Sequence, residues 1–137
     1  MIQTAALPQL WSYGHPLDMD DDKVGLLRPS NDALEDVDEL RRRLDTDGYL
    51  FMRGLLDRDD VLAARRSMTD RLAGQGLLHP DRDPVDGIIA PGQTLTFKPD
   101  LASKNPLVEK VLYSGRLVEF YTRLFGETIR HYDFTWL

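Results

Sequence analysis

Alternate side chains of the last eleven residues form two different faces, one strongly aromatic and the other with a histidine and an aspartate. This pattern constrains the fold more than any other feature of the chain. Successive side chains of a β-strand point to opposite faces of the sheet. The first face carries Thr128, Arg130, Tyr132, Phe134 and Trp136, and the second carries Ile129, His131, Asp133, Thr135 and Leu137. A strand without neighbours leaves its backbone groups unpaired. We therefore expect this chain to be the first part of a larger fold.

Composition narrows the classes of protein that fit the sequence. A chain of 137 residues with 42% hydrophobic content can bury one core. The net charge of −6 argues against a nucleic-acid or anionic-membrane surface, because both need clustered Lys and Arg. Zero cysteines exclude disulfides and thiolate metal sites. The sequence shows no secretory signal and no apolar run of membrane-spanning length, so we expect a cytoplasmic protein.

The first predicted helix and the strand after it have clear boundary signals. Asp32 and Glu35 form a capping-box-like start, and the basic run 41–43 fills the expected last turn. The apolar positions at helical spacing are Leu34, Val37, Leu40 and Leu44. Gly48 ends this helix, and the apolar run 49–52 predicts a short buried strand.

Three further helices are predicted from caps and apolar spacing. The second begins at Asp57 and ends at Gly74 and Gly76. The third opens at Asn105, which is followed by a proline at the first helical position. Its end and the bounds of the fourth helix are marked by Gly115, Arg116 and Gly126.

Two segments lack sustained periodicity. Residues 1–30 are predicted to form an irregular arm, and residues 31–137 a single domain or part of one. The expected anchors of the arm are Leu10, Trp11 and Tyr13. Residues 75–105 are rich in Pro and Gly, which is typical of a functional lid or a disordered loop. Residues 88–89 and 95–97 are the places within this loop where short strands are expected.

The sequence contains His-x-Asp twice, at His79 and Asp81 and at His131 and Asp133. On a strand, this spacing places an imidazole and a carboxylate on one face, where both can ligate a non-haem iron. The first pair lies in a loop around Pro80, and two helices follow where a barrel needs strands. The second pair is followed by four residues, none of them histidine. We therefore interpret both pairs as hydrogen-bonded side chains and assign no metal ligand and no catalytic residue.

Three segments, taken in order, form a pattern shared with a known enzyme family. They are the run 45–56, the capped helix that follows it, and the closing run 129–137. From about Leu34 to the C-terminus, the chain resembles the N-terminal part of the phytanoyl-CoA dioxygenase family. The resemblance implies an α+β fold, with the N-terminal helical part and the first strands of a double-stranded β-helix of jelly-roll type. The barrel is expected to be incomplete.

The resemblance also implies a chemistry. The family uses Fe(II) and 2-oxoglutarate to hydroxylate an unactivated C–H bond of a small organic substrate. Its metal-binding His-x-Asp lies on the strand after the one that resembles 129–137, and its distal His and its cosubstrate-binding Arg lie further on. This sequence lacks all three, so the chain alone is expected to be inactive and to bind neither cofactor tightly. Matching positions place His131 and Asp133 near the cosubstrate, and Lys98 where the family has a cosubstrate-contacting lysine.

Two alternatives from other classes stay open. A non-catalytic binding or scaffold module would pair its C-terminal strand with a partner chain or a second copy. A small hydrolase would need convergent Asp and Glu pairs, and the sequence shows no such constellation. No nucleic-acid or membrane partner is expected in any of the three cases.

Overall fold

The computed structural model describes residues 8–20 and 22–132 and has a mixed α and β composition. Four α-helices follow one small sheet. The helices are α1 (Val37–Asp47), α2 (Arg58–Gly74), α3 (Pro106–Tyr113) and α4 (Gly115–Phe125). The sheet pairs two antiparallel strands of two residues, β1 (Trp11–Ser12) and β2 (His15–Pro16). Short 3-10 turns span Asn31–Ala33, Pro84–Asp86 and Pro99–Leu101. The α+β class is confirmed at this level.

Helix α1 begins later than the sequence predicted. Asp36 is its N-cap, and the Asp36 carboxylate accepts a hydrogen bond from the Glu39 amide at 3.0 Å. The predicted capping box is wrong because Asp32 pairs with Arg43 and lies in the preceding 3-10 turn. The helix continues to Asp47, so the basic run 41–43 lies in its middle. Gly48 ends it with a φ of 76°, a conformation that glycine adopts without strain.

The other helix boundaries follow their signals closely. The Asp57 carboxylate caps α2 by accepting from the amides of Asp59 and Asp60 at 3.0 and 3.1 Å. Pro106 occupies the first turn of α3, as predicted, although the Asn105 side chain makes no capping bond. Helix α4 begins at Gly115, one residue before the predicted start, and Gly126 ends it with a φ of 77°.

The buried apolar residues form three clusters rather than the single core that composition allowed. The first joins α1 to α4 through Ala33, Leu40, Phe120 and Leu124. The second, between α2 and α3, is Ala64, Ala102 and Val108. The third, at the end of α2, is Leu72, Leu78 and Leu101. Half-buried Met68 packs against the second and third clusters and so connects them.

The predicted strands are absent or reduced to isolated β-bridges in the described part of the chain. Within 49–52, only Phe51 pairs, in parallel with Pro29. Ile89 pairs antiparallel with Leu78, and residues 95–97 form no strand. Residues 127–132 also form no strand, and residues 133–137 lie outside the described part of the chain. These segments remain unpaired or singly paired because no neighbouring strand of the described chain lies beside them.

The arm forms a hairpin with its apolar side chains in solvent. Tyr13 and Gly14 turn the chain with φ values of 49° and 79°, as a tight hairpin turn requires. The predicted anchors are wrong, because Leu10, Trp11 and Tyr13 are all exposed. The arm joins the helices through Arg28, which pairs with Asp47. Among the described residues, no helix is long and apolar enough to cross a membrane.

Candidate functional site

Lys98, a predicted cosubstrate contact, is half-buried beside the end of α2. Its ammonium group donates to the Gln75 side-chain oxygen at 3.0 Å. The Gln75 amide nitrogen in turn donates to the Asp100 carboxylate at 2.9 Å. The three side chains form one chain of hydrogen bonds, which holds Lys98 close to the last turn of α2.

Arg71 ties the same loop to α2. Its guanidinium donates to the carbonyl oxygens of Asp100, Leu101, Ser103 and Lys104 at 2.6–3.2 Å. Backbone carbonyls in a loop need hydrogen-bond donors when they are not paired in a helix or a sheet, and Arg71 supplies such a donor to four of them. One side chain therefore fixes the path of the backbone between Lys98 and α3, including Lys104 with its φ of 52°.

Asn105 is the buried polar centre of this region, at 2% exposure. Its amide nitrogen donates to the Leu101 carbonyl at 3.0 Å and to the Ser67 hydroxyl at 2.9 Å. The Ser67 hydroxyl lies 2.7 Å from the Ala64 carbonyl, to which it donates. The sequence predicted Asn105 as a helix cap, but the Asn105 side chain instead joins α3 to the middle of α2.

His131, the second predicted contact, lies at the end of α3. Its imidazole stacks on the Tyr113 ring with centroids 3.9 Å apart and planes 13° apart. Lys98 and His131 therefore contact the ends of different helices. Asp133 lies outside the described residues. The predicted cosubstrate pocket of these three residues stays a prediction.

The first His-x-Asp pair is held together by the backbone. The Nδ1 atom of His79 accepts a hydrogen bond from the Asp81 amide at 3.3 Å, and the Asp81 side chain is exposed. Across residues 8–20 and 22–132, no group of three His, Cys, Asp or Glu residues is placed to hold a metal ion. The described residues therefore do not fit the iron centre that the family resemblance implies.

The strongest electrostatic cluster is structural and lies on α1. Arg43 is buried and donates to both Asp32 oxygens at 2.7 Å, and to Glu39 at 2.7 Å. The hydrogen bonds from Arg43 lower the pKa of Asp32 to about 2. Hydrogen bonds from Arg42, and then from Arg43, lower the pKa of Glu39 to about 2. The same bonds raise the pKa of Arg43, so this cluster is ionised at neutral pH and has no role in proton transfer.

An apolar groove of about 360 Å³ lies between the 50–55 segment and α4. Its walls come from α1, from that segment and from α4: Leu44, Leu50, Phe51, Met52, Leu55, Leu117, Phe120, Tyr121, Leu124 and Phe125. On its rim, the rings of Tyr121 and Phe125 stack with centroids 5.8 Å apart. Both rings are exposed, at 39% and 56%. We call this feature the α4 groove.

A second cavity of about 400 Å³ adjoins the α4 groove and shares Met52, Leu55 and Phe120 with it. Its other lining residues are mainly polar. Arg123 spans it by donating to the Glu35 carboxylate at 3.0 Å and to the Leu34 carbonyl. The two cavities together form a surface that is apolar at one end and charged at the other.

The site residues have to be interpreted from their own chemistry. No family model, no curated protein and no solved structure matches the chain. The family resemblance thus rests on the sequence pattern, and what it implies about fold and activity belongs to the proposal that follows.

Proposed function

We propose that residues 31–137 are the N-terminal helical and first-strand portion of an Fe(II)- and 2-oxoglutarate-dependent dioxygenase of the phytanoyl-CoA dioxygenase type. In a full-length form, this enzyme hydroxylates a small organic substrate in the cytoplasm. The present chain supplies helices that cover one side of a β-structure. The double-stranded β-helix itself is part of this proposal.

The observation that carries the proposal is the geometry of the 45–57 segment. In this segment the helix-ending Gly48, the extended residue Phe51 and the capping Asp57 follow one another in the order that the resemblance requires. Phe51 and its neighbours are half-buried and lie against α4. A short extended segment backed by helices is the start that a sheet with one helix-covered face needs.

The α4 groove supports the same interpretation. A helix that packs under a sheet presents an apolar stripe, and α4 is apolar both on its buried side and at its exposed Tyr121 and Phe125. Exposed apolar surface of this kind marks a site of contact with another structure. The groove lies beside the only extended residue between α1 and α2 that pairs in the described chain, Phe51.

Iron binding is not assigned to the described residues. His79 is engaged with the backbone of Asp81, and His131 is stacked on Tyr113. A facial site needs two histidines and a carboxylate that converge on one point. In the proposed enzyme, residues outside this chain supply those ligands, and Lys98 is this chain's candidate cosubstrate contact.

The coding sequence that follows Leu137 tests the proposal directly. We expect it to encode a His-x-Asp, a distal His and an Arg, in the same or the next reading frame. A continuation that lacks these residues would remove the dioxygenase from consideration. The alternative, a non-catalytic module that pairs its C-terminal segment with a partner chain, is favoured by the 91% exposure of Tyr132. The coding sequence after Leu137 also distinguishes between the two functions, since only the dioxygenase requires the downstream metal ligands.

A further inference from the structure

The extended segment around Phe51 is paired along one edge and open along the other. The Ser30 amide donates to the Phe51 carbonyl at 2.8 Å. The Asn31 side chain accepts from the Arg53 amide at 3.0 Å and donates to the Arg53 carbonyl at 2.6 Å. Alternate residues of an extended chain direct their backbone groups to opposite edges. The backbone groups of Leu50 and Met52 face the other edge, and they bond to nothing in the described part of the chain.

The open edge and the α4 groove belong to one surface. Leu50 and Met52 supply the open backbone groups and also line the groove. A strand that pairs with this edge places every second side chain over the groove, beside Tyr121 and Phe125. An open edge next to exposed apolar surface is the arrangement that accepts an added strand from another chain.

The same chain carries a segment that fits this surface. The backbones of Thr128, Ile129 and Arg130 pair with no group of the described residues, and Tyr132 is 91% exposed. Aromatic side chains continue at every second position of the sequence, at Phe134 and Trp136. This alternation supplies apolar side chains at the spacing that the groove needs.

A second copy is the source that the geometry favours for this segment. In its own copy, the segment passes Tyr113, where His131 stacks, and residues 127–132 do not line the α4 groove. Charge favours one direction of pairing, because Arg53 lies at one end of the open edge, and its described side-chain contact is with the Phe51 ring rather than with a carboxylate. Antiparallel pairing places Glu127 of the added strand near Arg53.

We propose that the open edge at Leu50 and Met52, together with the α4 groove, binds the C-terminal segment of a second copy as an antiparallel strand. Each copy has one acceptor edge and one donor segment, so two copies exchange segments reciprocally in a closed dimer. The interaction is independent of iron and of 2-oxoglutarate.

The test uses a fluorescent peptide of residues 127–137 and the intact chain. We expect saturable binding by fluorescence anisotropy, and dimerisation of the chain in sedimentation velocity over the same concentration range. Two further peptides are N-methylated, one at Thr128, Arg130 and Tyr132 and the other at Ile129, His131 and Asp133. Only one set of amides can face the acceptor edge. We expect one of these peptides to lose at least about tenfold in affinity, and the other to lose less than about threefold.

Two protein variants form a matched pair. Phe125→Lys places a charge on the rim of the α4 groove and should weaken both peptide binding and dimerisation by about tenfold or more. Leu107→Lys changes a comparably exposed apolar residue of α3 outside the groove and should leave both unchanged. The proposal is overturned by a chain that stays monomeric and binds no peptide. It is also overturned if both N-methylated peptides behave alike, or if the two lysine variants do.

Discussion

Replacing Asn105 with alanine should measurably destabilise the chain, because the Asn105 side chain joins α3 to α2. Asn105 is 2% exposed, and its amide bonds both the Leu101 carbonyl and the Ser67 hydroxyl. The substitution removes these two hydrogen bonds, each worth about 1 kcal/mol, while the Leu101 carbonyl keeps its hydrogen bond from Arg71. We therefore expect the free energy of unfolding to fall by about 1–3 kcal/mol, a sizeable part of the stability of a small domain.

Urea denaturation followed by circular dichroism measures this loss at a protein concentration where the chain is monomeric. Ser67→Ala in the wild-type and Asn105→Ala backgrounds completes a double-mutant cycle. The cycle should give a coupling of about 1 kcal/mol, because Ser67 keeps its bond to Ala64 when Asn105 is absent. Ser103→Ala is the control: it alters an exposed hydroxyl two residues away and should change stability by no more than about 0.5 kcal/mol. A loss below about 1 kcal/mol for Asn105→Ala, or a coupling near zero, refutes the assigned network.

Three further outcomes follow from the described residues. The pKa of both carboxylate partners of Arg43 is lowered to about 2, so their ion pairs stabilise the fold above about pH 4 and lose this effect as pH falls towards about 2. Arg43→Met should therefore lose less stability between about pH 4 and about pH 2 than the wild type in urea denaturation, and an equal loss in the two proteins would contradict this. Titration with Fe(II) or Ni(II) should show no submicromolar site; such a site, lost on His79→Ala or His131→Ala, would overturn our interpretation of both His-x-Asp pairs. In hydrogen exchange, residues 94–96 should exchange quickly while the Ala90 amide, bonded to a carbonyl at 2.9 Å, is protected; uniform protection would count against a lid.

Sequence reasoning located helix ends wherever one local signal decided the outcome. Gly48 and Gly126 adopt the left-handed conformation that ends a helix, and Asp57 caps the next helix as predicted. These positions depend on backbone geometry within a few residues. The start of α1 was misplaced because Asp32 had a competing partner, Arg43, eleven residues away.

The site was less predictable because its contacts join residues distant in sequence. Arg71 bonds carbonyls about thirty residues further along the chain, and Asn105 bonds Ser67 across 38 positions. A single sequence contains no signal for such pairs, since each residue also fits a solvated or capping role. Neither the α4 groove nor the open edge at Leu50 and Met52 was predicted from the sequence.

Succinate formation from 2-oxoglutarate is the most direct readout of the proposed oxygenase. The polypeptide for this assay is translated from the coding sequence that continues past Leu137, and it is supplied with Fe(II), dioxygen and 2-oxoglutarate. We predict succinate production that requires Fe(II) and is abolished when the histidine of the downstream His-x-Asp is replaced with alanine. A coding sequence without that motif, or a folded longer polypeptide that carries the motif and forms no succinate, would contradict the assignment.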